Sequence, residues 1–193
     1  MLTIIMGKTC SGKNAVVSEL VKRGWSQIIT YTSRPKRRGE KNGREYWYIS
    51  EEDFTSKIKS GYFAEWKSYD VNGKTWYYGS PVDEILNASL DDKNNVIILT
   101  PKSVVDVLAI LILKRHVADY QINIIYLYAN HKTILKRLKA RKDKNDSIER
   151  RMKADDKDFE NAVNIANKII YNNDSDSVSD VADKIIKSAE RKF

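Results

Sequence analysis

Gly7-Lys8-Thr9-Cys10-Ser11-Gly12-Lys13-Asn14 is the stretch whose reading decides the rest of the chain. A short apolar run, Leu2 to Met6, precedes it and ends at a glycine, as a buried parallel strand does. Behind it, Val16, Val17, Leu20 and Val21 recur at helical spacing between Asn14 and Arg23. Strand, glycine loop and helix form the unit that cradles phosphate. Gly7, Ser11 and Gly12 let backbone N–H groups close around phosphate oxygens, the helix N-terminus adds its positive dipole end, and Lys13 supplies a full charge. Asn14 stands where a Ser or Thr hydroxyl normally helps to hold magnesium. Its side-chain carbonyl is also a hard oxygen donor. Magnesium keeps several waters and borrows phosphate oxygens, so the exchange weakens the metal site without abolishing it. Cys10 reads as a small residue that fits the loop.

The 193 residues suit one domain with a real core. A single cysteine excludes an intramolecular disulfide and fits a reducing, cytoplasmic setting. The N-terminal apolar run is too short for a signal peptide. Val104 to Leu113 is the most apolar stretch, but it is short for a bilayer and carries Asp106, so a buried helix is expected rather than a membrane span. A net charge of +8 points to anionic partners. Nucleic acid is the weaker expectation, because the arginines fit a pocket better than a stripe.

Further apolar runs at Ser26 to Tyr31, Val96 to Thr100 and Ile122 to Tyr128 alternate with helical patterns. That alternation argues for an α/β fold, a mainly parallel sheet with helices on both faces. Residues 32–91 break the pattern: they hold most of the glycines and the aromatics Tyr46, Trp47, Tyr48, Trp66, Trp76, Tyr77 and Tyr78. An inserted lobe of strands with one or two helices is expected there. Ser50-Glu51-Glu52-Asp53 reads as a helix cap with acids in the first turn. Lys136 to Lys157 is almost wholly polar and reads as an exposed, mobile flap.

Within the lobe, the stretches TSRPKRRGEKNGREYWYIS and FAEWKSYDVNGKTWYYGS carry a specific resemblance. With the phosphate loop, the R-P-x-R-x-G-E-x-x-G-x-x-Y run, E-W and Y-Y-G-S follow in the order and spacing of the guanylate kinase family, and the chain resembles that family over essentially its whole length. Residue chemistry agrees. Arg34 and Arg37 read as paired forks for a monophosphate. Tyr46 and Tyr78 add hydroxyl donors and walls, and Glu65 offers a carboxylate to the N1–H and N2 amine of guanine. The resemblance implies base contacts from Thr30 and Ser80. Ser80-Pro81-Val82-Asp83 also reads as an N-cap followed by a proline at the first helical position.

RLKARKDKNDSIERRM resembles the family's lid over ATP, and the resemblance implies phosphate contacts from Arg137, Arg141 and Arg151, with Asn172 near the adenine. Solvated helix charges and a turn asparagine are the plain alternatives. The family generally ends the strand at Val96 to Thr100 with aspartates; Ile98, Leu99 and Thr100 stand here instead. The expected arrangement is a P-loop three-layer sandwich: a core of residues 1–31, 92–135 and 153–193, a nucleoside-monophosphate lobe of 32–91, and a helical lid of 136–152. The implied activity is magnesium-dependent phosphoryl transfer from ATP to a nucleoside monophosphate, GMP or dGMP first. Asn14 and the absent aspartates keep two alternatives open: a binding module with little catalysis, and a kinase of another phosphorylated acceptor.

Overall fold

A computed structural model describes residues 1–71, 73–113, 121–141 and 147–190, with the backbone alone at Arg141. The first sheet is five-stranded and parallel, in the order β2-β7-β1-β8-β9. Its strands are β1 (Leu2–Met6), β2 (Ser26–Gln27), β7 (Asn95–Ile98), β8 (Ile122–Tyr128) and β9 (Lys168–Tyr171). β1 is central and buried on both faces, which explains its unbroken apolar sequence.

Alternate residues of β1 build two cores. Leu2, Ile4 and Met6 pack with Ile85 and Ala88 of α3 (Val82–Leu90) and with Val104, Val107 and Leu111 of α4 (Pro101–Leu113). Ile5, on the other face, packs with Val16, Val17 and Leu20 of α1 (Lys13–Lys22) and with Val181, Ala182 and Ile185 of α8 (Val178–Ala189). The result is the expected helix–sheet–helix sandwich.

The second sheet is mixed and four-stranded, in the order β4-β3-β6-β5. It comprises β3 (Tyr31–Thr32), β4 (Trp47–Tyr48), β5 (Phe63–Val71) and β6 (Lys74–Pro81), with α2 (Glu51–Lys59) between β4 and β5. Phe54 of α2 is fully buried, stacked on Phe63 at 4.6 Å between ring centroids. α2 begins as its sequence predicts, with Ser50 Oγ accepting from the Asp53 amide at 3.0 Å.

Three expectations are corrected. The run Ser26 to Tyr31 is not one strand: residues 26–27 pair with β7 and residues 31–32 pair with β6. Ile28, buried in the first core, anchors the point where the chain leaves one sheet for the other. α4 is not buried all round, since Val105, Ile112 and Leu113 are exposed while Val104, Val107 and Leu111 are inside. Ser80 does not cap α3. It lies in β6, Pro81 is the N-cap, and the Ser80 hydroxyl is used elsewhere.

The flap is helical where described: α5 (His131–Arg141) and α6 (Ile148–Asp158), followed by the short α7 (Ala162–Ile165). Ile134 and Leu138 of α5 meet Ile148 and Met152 of α6 beside Cys10, which ties the flap to the phosphate loop. Among the described residues, no helix is long and apolar enough to cross a membrane.

Candidate functional site

The loop after β1 carries out locally what its sequence implies. Gly12 adopts φ +97°, and a Cβ there would lie 2.1 Å from Asn172 Nδ2. A Cβ on Gly7 would lie 2.7 Å from the Leu127 carbonyl. Both positions need glycine for space, and Gly12 needs it for its dihedral as well. Cys10, at φ 58°, is the one non-glycine residue with positive φ among those described.

Lys13 Nζ donates to the Gly7 and Lys8 carbonyls at 2.6 and 2.9 Å, folding over its own loop. Ser11 Oγ is buried and has no hydrogen-bond partner among the described residues. Asn172 is buried and donates through Nδ2 to the Ser11 carbonyl at 2.7 Å. It faces the underside of the loop and borders neither of the two large cavities. Its visible work is to brace the loop.

Two cavities meet at Lys13, Arg37, Tyr46, Tyr78 and Arg151. One, of about 480 Å³, opens over the loop and is bordered by Gly12, Asn14, Arg34, Arg137 and Arg151. The other, of about 230 Å³, runs between the sheets from Gly7, Thr9 and Lys13 to Thr30, Glu65 and Ser80. Arg37, Tyr46 and Tyr78 therefore lie between the loop and the Glu65 end of the inner cavity, while Arg34 borders the outer cavity alone. Arg141 belongs to the expected lid arginines, and its side chain lies outside the described residues.

Arg34 departs in detail from a free fork. It is buried, and its NH2 donates to both Glu40 carboxylate oxygens at 3.1 and 3.0 Å while NH1 donates to the Pro35 carbonyl. Its guanidinium carbon lies 5.5 Å from the Tyr46 ring centroid and 5.6 Å from that of Tyr48. Glu40 also accepts from the Arg37 amide and the Tyr48 hydroxyl at 2.8 and 2.7 Å. Burial acts to raise the Glu40 carboxyl, but those donors and Arg34 outweigh it and hold it below its ordinary range. Sequence reasoning gave Glu40 no role, although it is the acid of the arginine motif. It aligns Arg34 and also lies 3.7 Å from Arg37 NH1, so one carboxylate positions both arginines beside the cavity that Arg37 borders.

At the far end, Glu65 accepts from Ser80 Oγ at 2.5 Å and from Ser103 Oγ at 2.7 Å. Ser103, at the start of α4, was not singled out from the sequence. Its position three residues after Thr100, in the first helical turn, was the available signal, and Thr100 Oγ1 and Ser103 Oγ lie 3.0 Å apart. Each Glu65 oxygen keeps a further lone pair for a ligand. The hydroxyls that hold the carboxylate make it a fixed acceptor, suited to neighbouring N–H donors on a flat heterocycle.

The flap supplies charge of both signs. Arg137 NH1 donates to the Cys10 carbonyl at 3.3 Å, and Nε lies 3.7 Å from Asp174 Oδ1. On α6, Asp155 accepts from the Thr9 amide at 2.7 Å, and Asp156 pairs with Lys8 at 2.5 Å. Burial raises the Asp155 carboxyl against the lowering effects of Thr9 and Lys13. Among the described residues, no three His, Cys, Asp or Glu side chains gather as a metal site. The exposed Asn14, bordering the cavity over the loop, nonetheless offers an amide oxygen, a hard donor of the kind that magnesium accepts alongside water and phosphate oxygens.

A family model described as guanylate kinase matches residues 1–189. The guanylate kinase of Thermotoga maritima is 36% identical over 67 residues, covering 34% of this chain and 32% of its own length. That of Campylobacter jejuni strain RM1221 is 28% identical over 138 residues, 70% of this chain and 62% of its own. The matched stretches thus span from about a third to under two thirds of these curated relatives. The crystal structure of guanylate kinase from Anaplasma phagocytophilum superposes with a TM-score of 0.67 at 15% identity, covering 100% of this chain and 87% of that one. That likeness establishes the shared fold.

Proposed function

Because the chain belongs to the guanylate kinase family, a family of nucleoside monophosphate kinases, we propose that it transfers the terminal phosphoryl group of ATP to GMP or dGMP. The supporting observation is the continuous cavity from the Glu65 carboxylate, past Arg37, Tyr46 and Tyr78, to Lys13 of the phosphate loop. It spaces a base acceptor, a monophosphate grip and a polyphosphate grip in the order that one nucleotide facing another requires.

Glu65 accepts from the base edge. Arg37, aligned through Glu40 and Arg34, holds the acceptor phosphate together with the Tyr46 and Tyr78 hydroxyls. Gly7, Ser11, Gly12 and Lys13 hold the donor polyphosphate, and Arg137 and Arg151 approach from the flap, with Arg141 as the third arginine of that set. Thr30 borders the base pocket beside Ser80. An acceptor phosphate oxygen is already anionic, so alignment and charge neutralisation carry the reaction without a general base. Asn14 would offer an oxygen to magnesium, which when bound neutralises and orients the donor phosphates. Asn172 acts by bracing the loop on which the donor rests.

A second reading, binding without turnover, has its own observation. Lys13 is folded onto its loop, and Asp155 occupies the Thr9 amide that would otherwise face phosphate. The deciding experiment is phosphoryl transfer from magnesium-ATP across ribo- and deoxynucleoside monophosphates. Formation of GDP or dGDP supports the kinase. Binding of GMP with no diphosphate from any acceptor supports the second reading, and transfer to a different acceptor moves the specificity elsewhere.

A further inference from the structure

The β5–β6 hairpin presents one face to the base pocket, and that face carries a cation, Lys67, that the enzyme reading above leaves unused. Glu65, Lys67, Tyr69 and Val71 line the cavity, while Trp66, Ser68 and Asp70 between them are exposed. Opposite them on β6, Ser80, Tyr78 and Trp76 line the same cavity. Two residues along a strand return to the same face, so Glu65 and Lys67 look into one space about 7 Å apart along the backbone.

Lys67 is half-buried there. Its ammonium donates to Thr100 Oγ1. Thr100 and Ser103 share a hydrogen bond, and Ser103 spends its proton on Glu65 Oε2. Thr100 must therefore donate to Ser103, and every proton in the chain points from Lys67 toward Glu65. The wall of the pocket thus has a fixed polarity, with a donor pole at Lys67 and an acceptor pole at Glu65. Lys67 has three N–H donors and gives one to Thr100, so two are left for the cavity it borders. Desolvation presses the ammonium below its ordinary pKa, and the Glu65 and Asp158 carboxylates oppose that loss.

We propose that Lys67 is a specificity-determining residue that reads the keto oxygen of a lactam edge, –NH–C(=O)–, while Glu65 accepts from the adjoining N–H. The proposal deepens the reading of this pocket as a nucleoside-monophosphate site and rests on it. Guanine and hypoxanthine present such an edge with the matching polarity. Adenine and cytosine present the reverse, an amino donor toward Lys67 and a bare ring nitrogen toward the Glu65 carboxylate. Mismatched poles in a partly desolvated pocket leave both charges unpaired, which is how hydrogen-bonding sites reject analogues. Selection therefore falls on the 6-position of the purine, and hypoxanthine nucleotides join guanine nucleotides as ligands.

The test is equilibrium binding of GMP, IMP, AMP and CMP to the full chain and to Lys67→Met and Lys67→Arg, with thermal melting as a fold check. The full chain should bind GMP and IMP in preference to AMP and CMP. Lys67→Met should weaken GMP and IMP by about 10-fold or more while leaving AMP unchanged or improved, the expected loss of one charged hydrogen bond. Lys67→Arg, which keeps donors at that position, should restore much of the preference. Unchanged GMP affinity in Lys67→Met, or equal losses for all four nucleotides, would overturn the role of Lys67. Because binding is read rather than turnover, a chain that shows this selectivity and transfers no phosphate would sustain the proposal and defeat the kinase reading.

Discussion

The glycine loop after β1 and the cavity end around Glu65, proposed above as donor site and base pocket, are built in opposite ways. The loop is contiguous: Gly7 to Lys13 follow one another, Lys13 folds back on the Gly7 and Lys8 carbonyls, and Asp155, Arg137 and Asn172 only brace from outside a shape that the segment's own glycines set. The base pocket is dispersed. Glu65 and Lys67 come from β5, Ser80 from β6 and Ser103 from the first turn of α4, and they meet through hydrogen bonds spanning up to 38 residues. A contiguous motif is constrained by backbone geometry, so it leaves a readable pattern. A dispersed one is constrained by which strand face points inward, so its residues look ordinary until the register is known.

Four substitutions separate the two regions, and the largest effect belongs to the loop. Lys13→Ala removes the cation folded over the loop and should lower the rate of phosphoryl transfer by about 10²–10³-fold, with GMP binding little changed. Near-normal transfer in this variant would overturn the loop's assignment to the donor.

In the pocket, Glu65→Gln keeps the shape but turns one acceptor into a donor. GMP affinity should fall by about 10–100-fold while AMP affinity does not fall, as titration of both nucleotides will show. An equal loss for both would make Glu65 a purely structural carboxylate.

Behind the pocket, Gly79→Ala would place a Cβ 2.9 Å from both Phe54 Cζ and Phe63 Cγ, two rings that are stacked on one another. Overpacking of this kind should cost about 1–3 kcal/mol in urea unfolding, and base affinity should suffer with it because Gly79 adjoins Ser80. The smallest change is expected from Asn172→Ala. It strips the Ser11 carbonyl of its buried donor, a loss of about 1–2 kcal/mol in unfolding free energy, and should raise the KM for ATP without altering acceptor choice. A shift in acceptor choice instead would break the separation of the two regions.

Much of the scaffold was legible because its signals are local. The apolar run Leu2 to Met6, the helical spacing from Val16 to Val21 and the Ser50 cap each depend on neighbours within a few residues, and each is found where expected. The strand Ser26 to Tyr31 was misread because an apolar run does not say which sheet it joins. The same ambiguity hid the exposed side of α4, whose apolar residues occur on both faces. Ser80-Pro81-Val82 carries a valid capping sequence, yet the pull of the buried Glu65 carboxylate places the Ser80 hydroxyl in the pocket.

The sequence by itself determined the glycine loop between strand and helix, the parallel sheet sandwiched by helices and the guanylate kinase family, since short-range spacing and ordered motifs survive without coordinates. Only the tertiary structure decided that Glu40 holds Arg34, that Asn172 braces the loop from beneath, and that Lys67 and Glu65 face one cavity. Those relations depend on strand register and on chain segments far apart in sequence, and packing rather than local propensity sets both.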